Sequence, residues 1–195
     1  MSALDAMRRR RSWSKVTEDA PDHAELVRLV SAAGRVADHS SLEPWRLIEL
    51  RGDDRRRLGR AIHKAEKKEG ESSKPLRAPL LIAVVARIRK SEKVPEWEQE
   101  AVAAGVAHAL SLVLDEAGWG VIWRTGGYTR SKAVKKAHGL KKRERLMGWL
   151  YVGGKPAATE RTGHRRTVDG EKFLTRLPAR PLAPLPEDAP EDARE

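Results

Sequence analysis

Pro79-Leu80-Leu81-Ile82-Ala83-Val84-Val85-Ala86 is the longest apolar run in the chain. Its length and β-branched content are those of one buried, central strand. It is far too short for the roughly 20 residues that span a bilayer. Downstream, residues 95–117 read as a long helix with Val102, Val106, Ala109, Leu110, Val113 and Leu114 on its buried side. Ala101, Ala103, Ala104, Gly105 and Ala107 are small enough to let a second helix approach closely, so this helix is expected in the core or at a dimer interface. Gly118 closes it, Val121-Ile122-Trp123 forms a short strand, residues 131–138 form a helix, and residues 147–152 form the last strand.

Upstream, Leu26, Leu29, Val30 and Ala33 mark one face of a helix over residues 24–35, started by Pro21-Asp22. A polar loop, Asp38-His39-Ser40-Ser41, leads to Pro44-Trp45 and a strand over residues 45–50. Gly52-Asp53-Asp54 starts a very polar helix reaching about Lys68, and residues 70–74 read as a mobile loop, a candidate lid. The N-terminus lacks an apolar signal core and reads as structural. Helices and strands without regular βαβ alternation make the fold class α+β. The expected organisation is one domain over residues 1–156 and an extension over 157–195, where clustered prolines among acidic residues suit an extended or disordered tail.

The chain has no cysteine, which excludes disulfides, iron–sulfur clusters and thiolate zinc sites, and suits a reducing cytoplasm. A net charge of +11 fits a nucleic-acid binder, local sites for anionic phosphates, or a well-solvated surface. The basic run from Arg130 to Arg145 is the best nucleic-acid candidate, but no aromatics interleave it and a solvated helix face is the better reading. His63 and Glu66 read as a surface pair and not as metal ligands, since no H-E-x-x-H accompanies them. Asp38-His39 with Ser12 or Ser40 lacks the G-x-S-x-G setting of a hydrolase. The Rossmann and P-loop glycine patterns are also absent. What remains are phosphate-pairing arginines at Arg8 to Arg11 beside Ser12, and Trp123-Arg124-Thr125-Gly126, which could wall a planar ligand.

The order of these weak signals carries more than any one of them. Arg10-Arg11-Ser12, then Arg35 to His39, Pro44-Trp45, Pro95 to Glu100, Gly118-Trp119-Gly120, Trp123 to Gly126 and Leu150 to Gly153 together resemble the compact branch of the nitroreductase family over residues 1–156. The resemblance implies a mostly antiparallel sheet flanked by helices and an intertwined homodimer with flavin mononucleotide (FMN) at its interface. It implies hydride transfer from NAD(P)H through the flavin to a small planar acceptor, a nitroaromatic or quinone, in a ping-pong sequence. No side chain is then a covalent catalyst or metal ligand, because the flavin carries the chemistry. By the same resemblance Arg10, Arg11 and Ser12 grip the FMN phosphate and ribityl chain, and Arg35 and His39 reach the flavin from the partner subunit. Trp123, Arg124 and Thr125 flank it, also from the partner, and Val113, Leu114, Asp115, Glu116, Ala117 and Gly118 meet the nicotinamide cofactor. One departure stands out. Where relatives carry Ser, Asn and Gln before Pro-Trp, this chain has Asp38, Ser41 and Glu43, and a carboxylate cannot donate as an amide does.

Overall fold

The computed structural model describes residues 2–157 and 168–177. Strands β1 (Trp45–Leu50), β2 (Leu80–Arg87), β3 (Trp119–Arg124) and β4 (Glu144–Gly154) form a four-stranded sheet in the order β1-β2-β4-β3, with every neighbouring pair antiparallel. The apolar run is central, as read from the sequence, and the pleat explains why no position in it is polar. Leu81, Ala83 and Val85 point to one face of the sheet, Leu80, Ile82 and Val84 to the other, and both faces are covered.

Five helices accompany the sheet: α1 (Ala3–Arg9), α2 (His23–Ala33), α3 (Asp53–Ala65), α4 (Glu96–Glu116) and α5 (Lys132–Ala137). On one face α3 and α5 contribute Leu58, Ile62 and Val134 to a core with Trp149 and Tyr151. On the other, α2 and α4 contribute Leu26, Ala33, Ala107, Leu110 and Leu114 to a core with Leu150 and Val152. Ser2 and Asp5 make a reciprocal capping box at α1, a helix that the hydrophobic pattern does not reveal because none of its residues is buried.

Three expectations change. The buried stripe of α4 is Gln99, Ala103, Val106, Ala107, Leu110, Ser111 and Leu114, so Ala103 and Ala107 face the core while Val102, Ala109 and Val113 are only half-buried. Residues 70–74 are pinned onto α3 and are no lid: the Ser72 N–H donates to Gly59 O at 3.1 Å, Glu71 pairs with Arg56, and Lys74 pairs with Glu66 at 2.6 Å. The basic run is not one helical face. It divides among α5, a turn and the start of β4, and Arg130 and Arg145 pair with Glu100 on α4.

The chain divides into residues 1–159 and 160–195. Within the described part of the second unit, Asp169 caps a 3₁₀ turn over Gly170–Lys172. Most of the expected tail lies outside the described residues.

Glu144 locks β1, β2 and β4 together. It receives two bonds from the Arg46 guanidinium, at 2.8 and 3.0 Å, and one from the Lys141 N–H at 2.9 Å, and it is buried. The Arg46 hydrogen bonds hold its carboxyl well down, from 4.5 to about 2. A depressed carboxyl stabilises the fold above its unfolded value, and that stability is lost as pH falls from 4.5 toward 2. The depression corresponds to about 3 kcal/mol. Glu144→Gln should therefore cost about that much in urea unfolding at pH 7, and the gap to the unsubstituted protein should close near pH 2. An equal gap at both pH values would contradict this account.

Candidate functional site

Strand β3 lies at the sheet edge, and its pleat sends consecutive side chains to opposite faces. Trp123 faces α4, meeting the His108 ring edge-on with centroids 5.1 Å apart. Arg124 turns to the α3/α5 face, with its guanidinium 5.6 Å from the Tyr151 ring centroid. An irregularity in β4 makes room for both. The β2–β4 register jumps between Val84, opposite Gly148, and Val85, opposite Leu146, leaving Met147 extra. Gly148 has φ +123°, and a Cβ there would stand 2.6 Å from Trp123 Nε1 and 2.7 Å from Arg124 O.

A cavity of about 640 Å³ opens where β3 ends. Arg124, Thr125, Gly126 and Gly127 form one wall, Tyr128 and Tyr151 supply aromatic surface, and Lys74 and Arg77 add positive charge. Lys74 sits 4.8 Å over the Tyr128 ring, and burial pushes the Tyr151 hydroxyl up to about 12, so it stays protonated at neutral pH. The one lining carboxylate, Glu66, is held ionised by Lys74 and Lys68. Arg124 Nε and Trp123 Nε1 are buried donors with no protein partner. Buried donors are nearly always satisfied, so the orphaned Arg124 Nε beside a basic, aromatic cavity fits a flat, anionic, hydrogen-bonding ligand.

The other expected residues lie along α4. Trp13 N–H donates to Val121 O at 3.0 Å and Thr17 N–H to Gly154 O at 2.9 Å, so residues 13–17 run antiparallel to β3. Arg10, Arg11 and Ser12 lead into this segment, and none of them lines the cavity. Arg35 and His39 lie elsewhere, beyond α2. His39 Nδ1 is 3.1 Å from Glu98 Oε2, near the N-terminus of α4, whereas the Trp13 indole donates to Asp115 Oδ1 near its C-terminus. Those anchors are 17 residues apart, or about 25 Å along a helix. One copy of the chain does not bring His39 and Ser12 together.

The loop carrying His39 is strained, with Ser40, Ser41 and Glu43 all at left-handed φ, between 46° and 62°. Asp38 supports this loop by accepting the Glu43 N–H at 2.7 Å, which gives the departure at Asp38 a structural role. In the 113–118 stretch, Val113 and Leu114 pack against the core and Asp115 is engaged, leaving Glu116, Ala117 and Gly118 exposed.

Lys74, Arg77, Tyr128 and Tyr151 were not legible as site residues, because they come from a 3₁₀ turn over Lys74–Arg77, the turn after β3 and strand β4, and only the fold gathers them. The orphan status of Arg124 likewise has no signal in the sequence. Among the described residues no cluster could hold a metal ion, and no helix is long and apolar enough to cross a membrane.

With this geometry in place, comparison with known proteins is informative. The nitroreductase family model matches residues 7–154. A protein of Escherichia coli K12 named "Putative NAD(P)H nitroreductase YdjA" is 35% identical over 161 residues, covering 78% of this chain and 88% of that protein. A protein of like description from Haemophilus influenzae is 30% identical over 186 residues, covering 91% of this chain and 100% of that one. Among solved structures, a nitroreductase-like family protein from Bacillus cereus superimposes with a TM-score of 0.78 at 25% identity, covering 92% of this chain and 97% of that one. A Bacteroides fragilis nitroreductase with bound FMN shares the fold at a TM-score of 0.70 and 18% identity, covering 91% and 99%.

Gly148→Ala tests the local architecture. The substitution should cost more than about 2 kcal/mol in thermal unfolding, from left-handed backbone strain and overpacking together. Gly127→Ala, whose added carbon meets open space, should change stability little. Equal effects at the two glycines would overturn the role given to the irregularity in β4.

Proposed function

Because the chain belongs to the nitroreductase family, we propose that it is an oxidoreductase that binds FMN in the basic cavity at the end of β3 and draws hydride from NAD(P)H. The observation that carries this reading is the cavity itself: three cations, two aromatic walls and the orphaned Arg124 Nε converge there. Bound there, the flavin would supply the hydride relay between NAD(P)H and a flat acceptor such as a nitroaromatic or quinone, in a ping-pong sequence.

The protein's own part is to bind, orient and tune. Arg124 and Lys74 place fixed positive charge beside the cavity, where it favours an electron-rich ring in a site shielded from water. Thr125, Gly126 and Gly127 offer close backbone approach. Trp123 supports that turn from the opposite face. The guanidinium groups of Arg10 and Arg11 and the Ser12 hydroxyl suit a phosphate, which a planar fork binds bidentately. Of the 113–118 stretch, only Glu116, Ala117 and Gly118 are open to a nicotinamide cofactor. A cytoplasmic setting, as expected from the lack of cysteine, would supply that donor.

Arg35 and His39 join the site from a second copy. Ala101, Ala104, Gly105 and Leu112 form a stripe of small or half-exposed residues along the outer face of α4. Two copies crossing antiparallel there would bring the N-terminal end of one α4 to the C-terminal end of the other, closing the separation of about 25 Å. The pairing of Arg130 and Arg145 with Glu100 removes charge from the nucleic-acid alternative, which no other observation favours.

Two measurements test the proposal. Apoprotein titrated with FMN, followed by fluorescence quenching, should bind it, and Lys74→Ala or Arg10→Ala should weaken binding roughly tenfold to a hundredfold. A colourless protein that takes up no FMN would overturn the reading. For the shared site, Arg10→Ala and Arg35→Ala subunits, unfolded and refolded together, should recover high-affinity binding in roughly a quarter of sites, since each mixed dimer has one intact site. No recovery would contradict the exchange of residues between copies.

A further inference from the structure

Asp115 belongs to the 113–118 stretch expected to meet the nicotinamide cofactor, but its carboxylate is engaged inside the protein. Its Oδ1 accepts the Trp13 indole N–H at 3.3 Å and lies 3.1 Å from Lys155 Nζ, which also donates to the Asp115 carbonyl at 2.7 Å. Three separate parts of the chain meet here: the segment between α1 and α2 that runs beside β3, the C-terminal end of α4, and the exit of β4.

The Trp13 ring is the middle of this assembly. The Arg11 guanidinium lies 4.6 Å from its centroid and Lys155 Nζ 5.7 Å from it. Gly120 leaves the ring its space, since a Cβ there would stand 3.2 Å from Trp13 Cβ and 3.0 Å from Val16 Cγ1. An indole stacked by cations and hydrogen-bonded to a carboxylate has one orientation. The residues joined to it are held at both ends: Arg10 caps α1, its N–H donating to Ala6 O at 2.9 Å, and Arg11 and Ser12, which have no regular secondary structure, run from there to the clamped Trp13.

We propose that Asp115 is a positioning residue. Through Trp13, and with Lys155 completing the clamp, it fixes the direction from which Arg10, Arg11 and Ser12 meet the phosphate of the flavin. This rests on the function proposed above, and it gives the carboxylate in the 113–118 stretch a task other than contact with NAD(P)H.

The test combines substitutions within the clamp, at Trp13 and Asp115, with a double-mutant cycle between Arg10 and Asp115, all read as FMN affinity of the apoprotein. Trp13→Phe keeps the ring and removes the donor, while Asp115→Asn keeps the shape and removes the charge. Each should weaken FMN binding about tenfold, with the apoprotein melting temperature nearly unchanged. The two together should be no worse than either alone, because they break the same clamp. Arg10→Ala should lose much less affinity in the Asp115→Asn background than in the unsubstituted protein, since a misdirected guanidinium has less to lose. Additive effects of Arg10→Ala and Asp115→Asn would overturn the proposal, as would unchanged affinity in Trp13→Phe and Asp115→Asn. A protein that binds no FMN before any substitution would instead refute the underlying functional reading.

Discussion

Strand β2 has no wet face, and this constraint shapes the rest of the molecule. With Leu81, Ala83 and Val85 buried on one side and Leu80, Ile82 and Val84 on the other, the sheet needs a helical layer on each. The chain provides α3 and α5 for the first and α2 and α4 for the second. The edge strand β3 then lies between two different environments, with Trp123 turned to α4 and Arg124 to the cavity. The candidate site is thus a consequence of where a doubly covered sheet ends. The end of α3, the 3₁₀ turn after it and the turn after β3 converge there, and the irregularity at Gly148 leaves room for β3 to end as it does.

The length of α4 is the second determinant. It is a 21-residue helix with His39 anchored near one end and Trp13 near the other. Residues expected to share a ligand are thereby separated in a single copy, and a second copy is the economical way to reunite them. The outer face of α4 is rich in Ala and Gly, which permits close helix approach but leaves little surface to bury alone. The same helix therefore serves the core with one face, and in the proposed dimer it would meet a partner with the other.

The parts of this arrangement that follow local rules were readable from the sequence. The alternation in β1, the apolar run of β2 and the stripe on α2 each record burial by neighbours that the pattern implies. The phase of α4 was not readable, because a helix apolar on most sides has no unique buried stripe, and Gln99 hides among its buried residues. That glutamine satisfies Arg89 and Val94 backbone groups, a task invisible without the turn it braces. Residues 70–74 looked loose by composition, yet a glycine on α3, Gly59, allows Ser72 to dock against its backbone. Of the residues lining the cavity, Arg124 and Thr125 were named through resemblance. Lys74, Arg77, Tyr128 and Tyr151 were not, since they are gathered only in space.

The most direct test of the central claim is an anaerobic half-reaction on the FMN-loaded protein, followed by flavin absorbance. One equivalent of NADH or NADPH should bleach the bound flavin. After removal of the nicotinamide, a quinone or nitroaromatic added alone should restore the oxidised spectrum, with each half-reaction fast enough to account for steady turnover. A bound flavin that neither donor bleaches, or that no flat acceptor reoxidises, would contradict the account.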